Sequence, residues 1–199
     1  MIKKKLSTIL VILAITLSAT AQTAQQVLDK TAAVVGRSGG ASASFKMTSG
    51  SGTASGTIAI KGKKFYANTG SAKVWFDGKT QWAWLRSTDE VNITTPTQAE
   101  QMAMNPYTFI NIYKTGYKAT MTTVGGNYQV HLTAQNQKRT VQELYITINK
   151  SYQPLSVKMR NGKSWTQIAI SNFKAVNQSD ATFKFNAKNC PGAEIIDLR

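Results

Sequence analysis

Little in this chain of 199 residues could build a polar active site. It has one cysteine, one histidine and nine acidic residues. A single cysteine excludes an intramolecular disulfide, and in an oxidising compartment it is either buried or able to pair between molecules. Cys190 sits in the turn sequence Asn189-Cys190-Pro191-Gly192, with no local partner for a catalytic thiol. His131 stands in an alternating stretch and faces away from Val130, with no second histidine at metal-ligand spacing, so it reads as a half-exposed strand residue. The acidic residues are scattered. Asp89 and Glu90 are the one adjacent pair, and adjacent residues of a strand point to opposite faces, so they form no acid/base dyad. The Gly/Ser segment at 49–52 joins two strand-like stretches instead of opening a helix, which excludes a phosphate loop. An enzyme needs activated groups held together, and this chain offers none, nor any residues that call for a cofactor or a metal.

Long apolar runs are also scarce. The one substantial run is Leu6–Leu17, preceded by Lys3, Lys4 and Lys5 and followed by Ala19-Thr20-Ala21. A basic start, a short apolar stretch and a small-x-small site are the pattern of a secretory signal peptide. The run is too short and wrongly flanked for a comfortable transmembrane helix. Residues 1–21 are therefore expected to be removed, leaving one domain over 22–199, exported to the periplasm. No cysteine follows the small residues, so no lipid anchor is expected there. Negative charge is the third shortage: the formal net charge is +15, and removing the three leader lysines leaves about +12. The lysines are spread along strands and turns, as in Lys61-Gly62-Lys63-Lys64, which reads as a solvated basic surface and not a nucleic-acid arm.

What is present is alternation. Ala24–Val35 has a helical pattern, with Leu28, Ala32 and Val35 on one face and Gly36 as a stop. Short stretches of period two then follow, separated by turns. They include Ser55–Lys61 with Ile58 and Ile60 on one face, Lys64–Thr69 with Phe65 and Ala67 on one face, and Gln81–Arg86 with Trp82 and Trp84 on one face. Asp77-Gly78 and Asn161-Gly162 are strong hairpin signals. The rhythm breaks at Thr95-Pro96-Thr97, where Thr95 or Thr97 could cap a short helix over Pro96–Met104, and Tyr107–Tyr113 is a second apolar segment. Strands resume at Tyr117, and Phe183 and Phe185 give an expected final strand. The fold class is mainly β, a meandering antiparallel sheet with two helical pieces. Such a sheet must cover one face. The helical pieces and wide side chains either close an ordinary core or leave a groove for an apolar ligand.

Several segments in order carry a family resemblance: Phe45-Lys46-Met47, Gly56-Thr57-Ile58-Ala59-Ile60-Lys61, Asp77-Gly78-Lys79-Thr80-Gln81-Trp82, Asn105-Pro106-Tyr107-Thr108-Phe109 and Asp180-Ala181-Thr182-Phe183-Lys184-Phe185. With them the chain resembles the periplasmic outer-membrane lipoprotein carrier family, also called LolA-like. The resemblance implies an incomplete, curved antiparallel β-barrel covered by an N-terminal helix and a central helical insertion. It implies a monomer that takes acylated lipoproteins from an inner-membrane release complex to an outer-membrane acceptor. On this basis Leu28, Ile58, Ile60, Phe65, Trp82, Trp84, Met102 and Phe109 are expected to line an apolar cavity, with Met104 beside Met102 in the lid. One departure stands out. The arginine that latches the lid in well-studied members corresponds to Gly62 here. A lysine lacks the planar fork of arginine, so either Lys61, Lys63 or Lys64 substitutes or the lid is not latched this way. A binding protein for another amphiphile, such as a glycolipid, a lipid intermediate or a hydrophobic small molecule, is the alternative reading, and a protein with a filled core is a third.

Overall fold

Turn chemistry sets the strand boundaries. In the computed structural model, which describes residues 22–97, 100 and 111–199, Gly125 and Gly126 both take positive φ, 55° and 79°. A two-residue hairpin loop of this hand needs both, because its twist then matches that of the strands it joins. Asp77 makes another turn by accepting from the Lys79 and Thr80 backbone N–H groups at 2.9 and 2.8 Å.

The strands so delimited are β1 (Ala41–Ser49), β2 (Gly52–Lys61), β3 (Lys64–Thr69), β4 (Ala72–Phe76), β5 (Gln81–Leu85) and β6 (Glu90–Thr94). They continue as β7 (Tyr117–Val124), β8 (Asn127–Ala134), β9 (Glu143–Ile148), β10 (Pro154–Asn161), β11 (Ser164–Lys174) and β12 (Glu194–Asp197). All belong to one open, curved sheet in the order β12-β6-β5-β4-β3-β2-β1-β11-β10-β9-β8-β7. Every neighbouring pair is antiparallel except β12 and β6, which run parallel. The β6–β7 connection thus joins the two ends of the sheet. Most of it lies outside the described residues, including the bulk of the helix expected over 96–104. At its start, Thr97 Oγ1 accepts from the Glu100 N–H at 3.3 Å while a Glu100 carboxylate oxygen accepts from the Thr97 N–H at 2.7 Å, a reciprocal cap at the second of the two expected candidates, Thr95 and Thr97.

The expected last strand at Phe183–Phe185 is corrected. Residues Asp180–Phe183 form a 3-10 turn whose first N–H groups are capped by Ser179, and the final strand lies further on, at Glu194–Asp197. The spacing of Phe183 and Phe185 imitates strand alternation, but Phe183 is fully buried at the end of the turn and Phe185 meets Trp75 edge-on at 5.4 Å.

The helix α1 (Ala24–Val35) crosses the concave face. Thr23 and Gln26 form a capping box at its start, and Val27, Leu28, Thr31 and Val35 are buried. Val27 and Leu28 pack with Val130, Leu132, Leu144, Ile146 and Ile148, the inward side chains of β8 and β9. Tyr113 closes the same cluster, and its hydroxyl donates to Asp29 of α1. Further along, Val35 joins Ala41, Ile60, Phe65 and Phe76. Two outcomes are expected. Leu132→Ala, at a position with no exposed surface, should lower the unfolding free energy by about 2–5 kcal/mol in a urea titration. Thr23→Ala, which removes only the cap, should cost about 1 kcal/mol.

Candidate functional site

Among the described residues, the concave face between α1 and the centre of the sheet is not fully covered. A cleft of about 290 Å³ opens there, lined by β3, β2, β1, β11 and β10 and by Val35 at the end of α1. Cross-strand pairing explains its shape. Partners in a register share a face, and each inward rung between β1 and β2 sets one large side chain against one small one: Ala41 with Ile60, Ala43 with Ile58, Phe45 with Gly56, and Met47 with Ala54. Ile58 faces a second small residue, Ala67, on β3. At Gly56 the approach is so close that a Cβ would lie 2.1 Å from the Asn68 carbonyl oxygen, so only glycine fits opposite Phe45. On the other side of β1, Phe45 and Met47 pair with Ile170 and Ile168 of β11.

Beyond Ile170 strict alternation would turn Phe173 outward. A β-bulge intervenes. Ser44 pairs with Ser171 and Ser42 with Lys174, so two residues of β11 stand against one of β1, and Asn172 takes φ 52°. The extra residue inverts the alternation and turns Phe173 into the cleft.

The expected site residues fall into separate places. Ile58 and Ile60 line the cleft. Phe65 is buried beside it, opposite Ile60 and 5.5 Å from Phe76 between ring centroids. Leu28 is buried under α1 in the β8–β9 cluster, away from the cleft lining. Trp82 and Trp84 lie on the opposite, outer face: Trp82 pairs with Trp75 and Trp84 with Lys73, and both pack around Trp75, Val91 and Cys190. Met102, Met104 and Phe109 lie outside the described residues. Sequence reasoning passed over Phe45, Met47, Ile168 and Ile170, although their alternation was readable; Phe173 was hidden by the bulge.

The lysines also face outward. Lys61 and Lys64 both lie 3.1 Å from the Asp180 carboxylate, and Lys61 donates to the Gln178 carbonyl at 3.1 Å. They clamp the segment after β11 onto the outer face of β2 and β3. Lys63 is exposed in the turn beside Gly62. On the outer face of the other half, His131 stacks on Tyr145 at 4.2 Å, and Glu143 accepts from Arg160 at 2.6 Å and lies 3.5 Å from His131. The Arg160 hydrogen bond holds the Glu143 carboxyl below its usual range. Among the described residues no three of His, Cys, Asp and Glu come together as metal ligands.

A family model described as outer membrane lipoprotein carrier protein LolA matches residues 14–163. The chain belongs to that family. A solved structure of an uncharacterised conserved protein from Thermus thermophilus is similar at a TM-score of 0.59 and 14% identity, covering 88% of this chain and 99% of that one. A LolA superfamily protein from Nitrosomonas europaea matches at 0.45 and 10%, over 83% and 99% of the two chains. LprF from Mycobacterium bovis matches at 0.44 and 9%, over 78% and 94%. No curated protein matches the chain. At such identity the likeness concerns the fold.

The clamp has a pH signature. Hydrogen bonds from Lys64 and then Lys61 lower the Asp180 pKa. A carboxylate with a depressed folded pKa contributes stability above its unfolded pKa, and this is lost as pH falls through the folded value. Asp180→Asn should therefore be less stable than the parent at neutral pH, and the gap should be smaller at an acid pH below the ordinary aspartate range in paired urea titrations. An equal gap at both pH values would mean that the ion pairs are not what Asp180 contributes.

Proposed function

We propose that this protein is a periplasmic carrier that binds lipoprotein acyl chains in the concave cleft and takes them from the inner to the outer membrane. The observation that carries this is a cleft lined almost wholly by hydrocarbon side chains, left open in a member of the carrier family. Such a surface offers no activated group for chemistry and, with Ser42, Ser44 and Thr69 as its polar members, few partners for a sugar or nucleotide; what it can take from water is an apolar chain. The leader-like residues 1–21 and the basic charge support export and docking on acidic membrane partners, the release complex and the outer-membrane acceptor.

The energetics suit a carrier. Counting roughly 30 Å³ for each water-sized group, the cleft takes about ten methylenes. At about 0.8 kcal/mol each, their burial contributes about 8 kcal/mol, before the costs of ordering, which corresponds to micromolar affinity. A chain held at that strength can be handed on.

Two observations favour the second reading, a carrier for another amphiphile. The cleft volume is at the lower end of the range for ligand sites, roughly 300–1,000 Å³. Lys61 and Lys64, two of the three candidates to replace the latching arginine, are engaged with the C-terminal segment on the outer face.

The protein purified from its own periplasm should show, by native mass spectrometry, an adduct of acylated lipoprotein, and should release lipoprotein from inner-membrane vesicles less well at raised salt. A lipid-sized adduct would select the second reading. A bare mass together with no release activity would remove both. Ile58→Lys, which sets an ammonium into the cleft floor, should lower adduct occupancy at least about tenfold.

A further inference from the structure

The cleft is graded along the strands. At one end its lining is buried: Val35, Ala41 and Ile60. Toward the β1–β2 hairpin the lining becomes half-exposed, at Phe45, Met47, Ala54 and Ile168, and the chain beyond is the exposed polar turn at 49–52. Phe173 completes the buried end, and Ser42, the polar residue of the lining there, alternates to the other face of β1 from Ala41 and Ala43, so its hydroxyl does not meet a headgroup in the cleft. An amphiphile entering there would leave its polar part unsatisfied, at a cost of several kcal/mol for an ionised group, so only a hydrocarbon terminus fits.

The width is limited too. The rungs of large against small side chains do not leave a broad floor; they leave the space above Ala43 and Ala54, bounded by Ile58 on one side and Phe45 and Met47 on the other. With the volume of about 290 Å³, this is room for one straight chain.

We infer that the cleft is a single-chain measuring site: one unbranched acyl chain enters methyl end first from the β1–β2 hairpin side, stops at the Val35–Ala41–Ile60–Phe173 end, and is read over about ten methylenes. This rests on the acyl-binding reading above and narrows it. A cargo with more than one chain places one in the cleft and leaves the rest to be covered elsewhere. Ala43 sets the depth of the site, and it determines specificity by what it lacks.

The test is a length series on the delipidated periplasmic protein. Calorimetric titration with saturated straight-chain fatty acids should show one chain per protein. Affinity should rise about fourfold per added methylene and level off near twelve carbons. In Ala43→Leu the break should move to shorter chains by about three carbons, the number leucine adds over alanine. Each variant is checked for an unchanged thermal midpoint, and Ala43→Val serves where leucine prevents folding. Affinity that climbs to the longest chain, two chains per protein, or a break unmoved in a folded variant would overturn the measuring site while leaving an acyl-binding protein. Failure to bind any chain length would instead overturn the reading on which it rests. Native masses after exposure to membrane vesicles separate the sources: a protein-sized adduct marks a lipoprotein chain and a lipid-sized one a free lipid, and a single adduct per protein supports the inference in either case.

Discussion

The whole arrangement depends on one mismatch: a twelve-stranded sheet presents a concave apolar face wider than the helix laid across it. A helix of 12 residues is about 18 Å long, and adjacent strands are about 4.8 Å apart, so α1 spans only a few strands' width. Where it lies it seals the face completely, and Val27 and Leu28 have no exposed surface. Where it ends, at Val35, the seal stops and the cleft begins. Among the described residues the cleft is the uncovered remainder of a core, which is why its lining is chemically indistinguishable from the buried cluster beside it.

The two faces of the sheet are built on different terms. The inner face carries aliphatic and phenylalanine side chains, and its small residues on β1, β2 and β3 keep space open. The outer face of β3, β4 and β5 carries Tyr66, Trp75, Trp82 and Trp84, and it is closed by the segment after β11 through Phe185 and Cys190. Burial raises the Cys190 thiol pKa, which keeps it in the unreactive protonated form. Two lysines meeting one carboxylate fix where that segment starts, and parallel pairing with β6 fixes where it ends.

Much of this was legible in the sequence. The alternation of Ile58 with Ile60 and of Phe65 with Ala67, and the glycine turns between strands, give nearly every strand boundary. Period two separates two faces but does not say which is concave, and that is why Trp82 and Trp84 were grouped with Ile58 although they lie on the opposite side. Wide aromatics are as apt to seal an outer face beneath a returning segment as to line a cavity. The bulge at Asn172 was invisible for another reason. It depends on register between β1 and β11, residues far apart in the chain, and reverses the side on which Phe173 falls. The parallel pairing of β12 is likewise long-range, and Glu194–Asp197 is too short to announce itself by pattern.

The late position of the outer layer in the chain has a consequence for how the protein is made. Strands β3 to β6 are synthesised well before residues 180–197, which cover their aromatic face. Until those residues emerge, Trp75, Trp82 and Trp84 stand uncovered beside an unpaired β6, a combination that invites association between incomplete chains. A chain that folds as it emerges thus completes its outer face last, and one interrupted shortly before Asp180 would keep its cleft while displaying a tryptophan surface to its neighbours.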